Sequence, residues 1–340
     1  MKKKIRVHEL DTFRGIAAIM VVLFHFSMNR FLPYFSNFLR LGNTGVELFF
    51  MISGFVIFMT LQYVKSGREF IINRLSRLYP TYWLVVTLTF CLIILNCYLS
   101  FHDLHLVNIN QYLINMTMFQ HYFHVPDLDD PYWTMIVEMN FYIIMFCLYK
   151  GNFLNKIKSI GLIVSVLIVL FVKLATGSLL ACVLYYIPIL PYWPLFILGI
   201  LFYKIYINEI YLKKNLFFIA VLLGCQIILH DFIRNKGYTS RFEYAVMLLI
   251  YTTLFTLFVL NKLKFIVTRI SGFFGKISYP LYLIHQYLSL YVIIPLLMFK
   301  LHLRFLLSAF VTLAFIIILA TLISTYIEVP VRNRIKKIFF

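Results

Sequence analysis

The chain has 340 residues, of which 62% are hydrophobic and only 13% charged, with a mean hydropathy of +0.88. A soluble domain carries about a quarter charged residues, so this composition excludes an ordinary water-soluble fold. The formal net charge of +18 raises nucleic acid as a partner, and the placement of the basic residues answers that question below.

The chain opens with Met1-Lys-Lys-Lys-Ile-Arg6 followed by an apolar run. This resembles a signal peptide, yet residues 27–35 offer no small-residue cleavage site, so it is read as an uncleaved first span. Apolar stretches of membrane-spanning length then recur, each needing about 20 residues. They lie near 13–30, 43–63, 79–100, 132–149, 158–174, 190–207, 215–231, 243–260, 279–299 and 303–327. The reading is an all-α, polytopic bundle of about ten transmembrane helices forming a single membrane domain over 1–340.

Most Lys and Arg fall around 2–14, 65–77, 150–158, 204–214, 262–276 and 332–337. With an even number of spans, all of these lie on one side, so the positive-inside rule sets both termini in the cytoplasm. The charge is topological, and no nucleic acid is needed. Two apolar pieces do not fit full spans. Residues 101–131 form a long outer loop with no Lys or Arg, and 175–189 are too short and too near Pro188 and Pro191. Each is expected to be interfacial or re-entrant, as such backbone is tolerated where protein or a wet cavity satisfies it. The five cysteines show no C-x-x-C spacing and read as small hydrophobes.

Ionisable groups within spans cost about 2.5–3.5 kcal/mol each on insertion scales, which makes them the first place to look for chemistry. His25 follows Arg14 by eleven residues, about three helical turns and a rise of about 16 Å. The two share a face, with Arg14 at the cytoplasmic edge and His25 toward the outer side. Glu47 and Glu138 are expected at the level of His25 from two other spans. Histidine beside a carboxylate is the arrangement of general-base catalysis, the carboxylate fixing the imidazole and stabilising its protonated form. Which glutamate does this stays open. Ser53, the nearest candidate for an acyl-enzyme, is read as a packing residue next to Gly54.

Arg68, Arg74 and Arg77 crowd what reads as a short cytoplasmic loop before Tyr79-Pro80, where guanidinium groups suit the phosphates of a nucleotide-bearing donor. His285 is placed about 10 Å in from the cytoplasmic end of its span by helical rise. At that depth it is not expected to share an atom with His25. His102, His105, His121 and His124, with Asp103 and Asp127, suggest an outer metal site, but their spacing is loose and no metal is expected.

Five segments resemble, in order, the signatures of the membrane acyltransferase-3 family. They are Glu9-Leu-Asp-Thr-Phe-Arg14-Gly with His25; Gly45-Val-Glu47-Leu-Phe-Phe-Met-Ile-Ser-Gly-Phe55; Arg74-Leu-Ser-Arg77-Leu-Tyr-Pro80; Tyr132-Trp-Thr-Met-Ile-Val-Glu138; and Ser278-Tyr-Pro-Leu-Tyr-Leu-Ile-His285. Glu47 stands where Asp is more usual, and Thr134 where Ser is common. The resemblance implies a ten-span enzyme of the bacterial inner membrane that passes acyl groups, usually acetyl, from cytoplasmic acyl-CoA to surface glycans or lipids. By that similarity Arg14 and His25 form the essential pair, and the chain is a stand-alone member without the hydrolase-like extension some relatives carry. His25, Glu138 and Glu47 are then the catalytic set, and Arg14, Arg74, Arg77, Tyr79 and His285 face acetyl-CoA, with a surface polysaccharide or lipid-linked glycan as acceptor. The rival reading is a glycan flippase or exporter. Transporters of this kind often pair broken helices in two related halves, and no such internal symmetry is seen. A non-enzymatic scaffold would not need Arg14 and His25 on one face.

Overall fold

A computed structural model describes residues 7–28, 39–100, 107–234 and 236–340. Among the described residues there is no strand. This is the expected outcome for apolar sequence in lipid, where a helix satisfies its own backbone. The basic cluster at 2–6, Arg30, and the His102, Asp103 and His105 half of the suggested metal site lie outside the described residues.

Eight helical segments are long and apolar enough to cross a membrane: His8–Ser27, Arg40–Leu61, Gly67–Tyr98, Asp130–Lys150, Leu154–Leu174, Leu212–Phe232, Arg241–Val259 and Phe305–Phe339. Among the described residues two bent pairs bring the number to as many as ten, if each pair is one span. Gly177–Tyr186 meets Leu190–Tyr206 at 76°, and Arg269–Ile284 meets Leu288–Lys300 at 61°. The core helices are labelled α1 (His8–Ser27), α2 (Gly45–Leu61), α3 (Gly67–Ser100), α4 (Ile109–Asn115), α5 (Trp133–Lys150), α6 (Ile157–Leu174), α7 (Gly177–Tyr186), α8 (Trp193–Tyr206), α9 (Leu212–Ile228), α10 (Arg241–Val259), α11 (Arg269–Ile284), α12 (Leu288–Lys300) and α13 (Phe305–Ile323). The C-terminal α14 (Val329–Phe339) follows a π-helical turn.

The apolar piece at 175–189, expected to be interfacial or re-entrant, holds the short helix α7, which with α8 makes a broken span or a re-entrant loop, and Pro188 and Pro191 lie at or just past its break. The stretch 279–299 is not one straight helix but the end of α11, a break at 285–287, and π-helical turns in α12. Two bent helix pairs are therefore present among the described residues. Arg68, Arg74 and Arg77 also differ from expectation, for they lie within α3 and not in a loop. The reading began that span at 79, but the helix starts at Gly67 and runs through Pro80; inside a bundle, neighbours offset the lost N–H bond. Three cysteines, Cys91, Cys147 and Cys182, are exposed on the protein surface, and Cys225 is buried.

The chain divides into two compact units, residues 1–21, 37–70 and 137–275 forming the first and 22–36, 71–136 and 276–340 the second. In the first, α2 and α8 cross with backbones in direct contact. A Cβ on Gly54 would run into the Phe196 carbonyl, and one on Gly199 into the Met51 carbonyl. Lipid tails are as apolar as the helices, so such close packing, not water exclusion, is what holds membrane helices together. Around the crossing, Phe141 stacks on Phe196 at 4.1 Å, Phe55 meets Tyr203 edge-on at 5.2 Å, and Phe13 lies 5.6 Å from Phe255. Each such pair is worth about 0.5–1.5 kcal/mol beyond its contact area.

In the second unit the loop after α3 doubles back along that helix. The Tyr112 ring stacks on Phe90 at 4.6 Å and its hydroxyl lies 2.9 Å from Thr87 Oγ1. Farther down, Trp83 Nε1 donates to the Met116 carbonyl at 2.9 Å and the Tyr79 hydroxyl donates to the Thr117 carbonyl at 2.7 Å. Asn108 caps the hairpin's helix α4 through the Gln111 amide. The chain then reverses where Met118 and His124 take positive φ, and Asn115 ties the two arms together through Pro126 and Leu128.

Candidate functional site

α1 begins with Glu9 and Asp11 in its first turn, where carboxylates suit the helix dipole. Arg14 follows, mostly buried, its guanidinium 3.6 Å from Asp11. Within the first unit this helix packs on α11, and the Thr12 hydroxyl donates to Ser271 Oγ at 3.1 Å, 259 residues away in sequence. The same two helices meet again in the second unit, 260 residues apart in sequence, where His25 Nδ1 lies 3.1 Å from His285 Nε2. The offset barely changes, so α1 and α11 run parallel.

This contact overturns the expected separation of the two histidines. The error lay in the starting point. The sequence reading began the span at 279, whereas α11 begins at Arg269. Sixteen residues of helix lift His285 by about 24 Å, close to the about 26 Å that α1 gives His25 over seventeen residues. His285 is fully buried, with Nδ1 2.6 Å from the Tyr282 carbonyl. The Phe24 ring meets the His25 imidazole at 4.7 Å, so the histidine pair sits among aromatic walls.

The break that follows His285 exposes backbone N–H groups at the start of α12, and one is met by a side chain. Asp129, at the head of α5, accepts the Tyr287 N–H on Oδ2 at 3.1 Å and the Asp130 N–H on Oδ1 at 3.0 Å. Burial pushes the Asp129 carboxyl up to about 8. Sequence reasoning counted this aspartate among four in an outer loop and gave it no role. An Asp placed just before the helix-starting Asp130-Pro131 is a capping signal, but nothing in sequence showed the distant amide it serves. Behind it, Tyr132 is buried with its hydroxyl 3.0 Å from Thr89 and its ring 5.3 Å from Tyr82.

The other expected site residues divide between the units. In the first, Glu138 Oε1 accepts hydrogen bonds from Ser53 at 3.0 Å and Tyr142 at 2.5 Å. Ser53 is thus more than a packing residue; the close contact belongs to its neighbour Gly54. Glu47 is 4% exposed, faces the Tyr244 hydroxyl, and leaves Oε2 without a hydrogen bond. Tyr244 in turn accepts from Gln226 at 2.9 Å. In the second unit Arg74 is buried and Arg77 half-buried, one turn apart on α3. Tyr79 stands twelve residues, about 18 Å, into that helix, with its hydroxyl on the hairpin; it is not at the helix's cytoplasmic edge. The group beside His25 Nδ1 is a histidine, where the sequence reading expected a carboxylate. Among the described residues no group of three or more His, Cys, Asp or Glu gathers as metal ligands do.

An acyltransferase-domain family model matches residues 7–329, nearly the whole chain. The chain is also 27% identical over 288 residues to ORF330, named as a candidate acetyltransferase, of Acidianus two-tailed virus; the match covers 80% of each chain. No solved structure matches it. With eight to ten membrane-length apolar helices and a family match from the start of α1 to the start of α14, this chain belongs to the acyltransferase-3 family of membrane acyltransferases.

Proposed function

We propose that the protein transfers an acyl group, acetyl in the first instance, from cytoplasmic acyl-CoA to a hydroxyl of an extracytoplasmic glycan or its lipid-linked precursor. The observation that carries this reading is the placement of His25 within an acyltransferase-family chain. It is a histidine inside an apolar span, hydrogen-bonded to a second buried histidine, on the same unbroken helix as Arg14. Ionisable groups at such depth are costly and mark functional sites.

The chemistry follows from these positions. Arg14 and Arg74 lie about two turns, and Arg77 about three, into helices whose starts the positive-inside rule sets at the cytoplasmic face, and guanidinium groups suit CoA phosphates. The rise of about 16 Å from Arg14 to His25 matches the reach of a pantetheine arm. His25 takes the proton of an acceptor hydroxyl as its oxygen attacks the thioester carbonyl carbon. The tetrahedral intermediate collapses with cleavage of the carbon–sulfur bond, and the imidazolium returns its proton to the departing CoA thiolate. Glu138 and Glu47 complete the acid–base set in this proposal. In this proposal the enzyme works in the inner membrane of a bacterial cell, a reading that its basic inner loops support.

The test is transfer of label from acetyl-CoA by membranes containing the protein. Arg14→Ala and His25→Ala, at normal amounts of protein, are expected to abolish incorporation into glycan. Ordinary incorporation by both variants would sink the reading. Glycan export lost with acetylation intact would favour the flippase alternative, which the two broken spans keep in view.

A further inference from the structure

The hydrogen bonds around the histidine pair have a direction that can be read. A carbonyl oxygen only accepts, so the 2.6 Å contact between His285 Nδ1 and the Tyr282 carbonyl places a hydrogen on Nδ1. In the neutral ring the other nitrogen, Nε2, then carries a lone pair. The 3.1 Å contact between that nitrogen and His25 Nδ1 therefore has His25 as the donor. With its hydrogen on Nδ1, a neutral His25 presents its lone pair at Nε2.

From this chain of bonds we infer that His285 is a positioning residue, which holds His25 by Nδ1 in the tautomer whose Nε2 is the base. The inference rests on the reading of His25 as the base. It replaces the carboxylate of a conventional triad with a neutral imidazole anchored on a backbone carbonyl. The arrangement has two consequences. When His25 takes up a proton at Nε2, its Nδ1–H still has an acceptor, so the imidazolium is stabilised without a buried negative charge beside the thioester. The break in the ninth span also gains a purpose. It leaves His285 and Gln286 outside regular helix, and the bond from the next amide, that of Tyr287, to Asp129 fixes that backbone. The His285 ring can then meet His25 while Nδ1 turns back to Tyr282. Titratable groups facing His285 in this unit include His25 against its ring, the Tyr282 ring at 5.6 Å and Asp129 across the Tyr287 amide.

The experiment compares His285→Gln, His285→Leu and His285→Ala in membranes of the producing cells, with labelled acetyl-CoA as the probe and rates expressed per folded protein. Gln offers an amide oxygen to His25 Nδ1–H, whereas Leu offers nothing. His285→Leu is expected to lower the maximal rate about 100-fold, the range of general-base effects, with the KM for acetyl-CoA unchanged. Its acid limb of the pH–rate profile moves to lower pH, because the imidazolium has lost its acceptor. His285→Gln stays within about tenfold of the parent, with its acid limb near the parent's. Should Leu prevent folding, His285→Ala decides, with added imidazole restoring its rate saturably. A wild-type rate and profile for His285→Leu, or no recovery of folded His285→Ala by imidazole, overturns the inference. So does a raised KM with an unchanged maximal rate in the Leu and Gln variants, which would place His285 on the acyl donor. An inactive His25→Ala beside a wild-type His285→Leu removes this inference alone, while a fully active His25→Ala removes the base reading itself.

Discussion

The Asp129 carboxylate accepts the backbone N–H of Tyr287, 158 residues farther along the chain, at 3.1 Å. A side chain at the head of α5 thus caps the broken start of α12, two residues beyond His285. The bond joins the hairpin after α3 to the segment that carries the buried histidine.

That bond has a pH signature. Burial holds the folded Asp129 carboxyl at about 8, up from an ordinary 3.8, so the unfolded chain releases this proton well below the folded one. Stability from this group is complete below about pH 4 and falls steadily as pH rises toward 8. Detergent-solubilised protein should therefore resist thermal aggregation better at pH 6 than at pH 8.5. Asp129→Asn, which cannot titrate, should flatten that difference. A midpoint in the parent that rises between pH 6 and 8.5 would contradict the assignment.

Glu138 separates a structural from a chemical role. Gln at 138 still offers Oε1 to Ser53 and Tyr142, so folded protein should be recovered at the parent level. The carboxyl is gone, and acyl transfer is expected to fall at least tenfold, as for loss of an acid–base group. Equal transfer by Glu138→Gln and the parent, measured with labelled acetyl-CoA, would reduce Glu138 to a hydrogen-bond post.

The crossing of α2 and α8 admits no side chain at Gly54 or Gly199. Ala at either position forces the backbones apart, an overpacking cost of about 1–3 kcal/mol. Both variants should aggregate at a lower temperature in detergent and give less folded protein. Unchanged melting of Gly54→Ala would show that the crossing is looser than described.

Arg74 lies buried one turn from Arg77 on α3. If the pair holds CoA phosphates, Arg74→Ala should raise the KM for acetyl-CoA about tenfold, the order of a lost charge-assisted hydrogen bond of about 1.5–3 kcal/mol, and leave the maximal rate nearly intact. The reverse pattern, a lower maximal rate at unchanged KM, would move Arg74 away from the donor.

The ten spans were legible because each must carry enough apolar residues to cross a bilayer, a requirement that composition meets openly. Two features were not. The segment of Arg68, Arg74 and Arg77 reads as a loop with the span beginning at 79, yet α3 runs from Gly67 through Pro80, because a bundle tolerates a missing N–H that an exposed helix does not. The break at 285–287 has no proline within it, so its sequence, His285-Gln286-Tyr287, gave no local signal. The depth of His285 was lost with it, since depth was counted from the wrong end of α11. Arg14 and His25 were found because their spacing lies within one helix, where rotation and rise are fixed. The His25–His285 bond and the Asp129–Tyr287 bond were not, because each joins residues more than 150 apart in sequence, and no pattern along the chain records such pairings.

The measurement that bears most directly on the proposed activity is proton NMR of surface polysaccharide from cells with the gene, without it, and carrying His25→Ala. The account predicts O-acetyl signals in the first and their loss from the other two, with the glycan still at the surface in all three. Persistent acetyl signals in the His25→Ala strain, with the variant protein present at normal amounts, would contradict it.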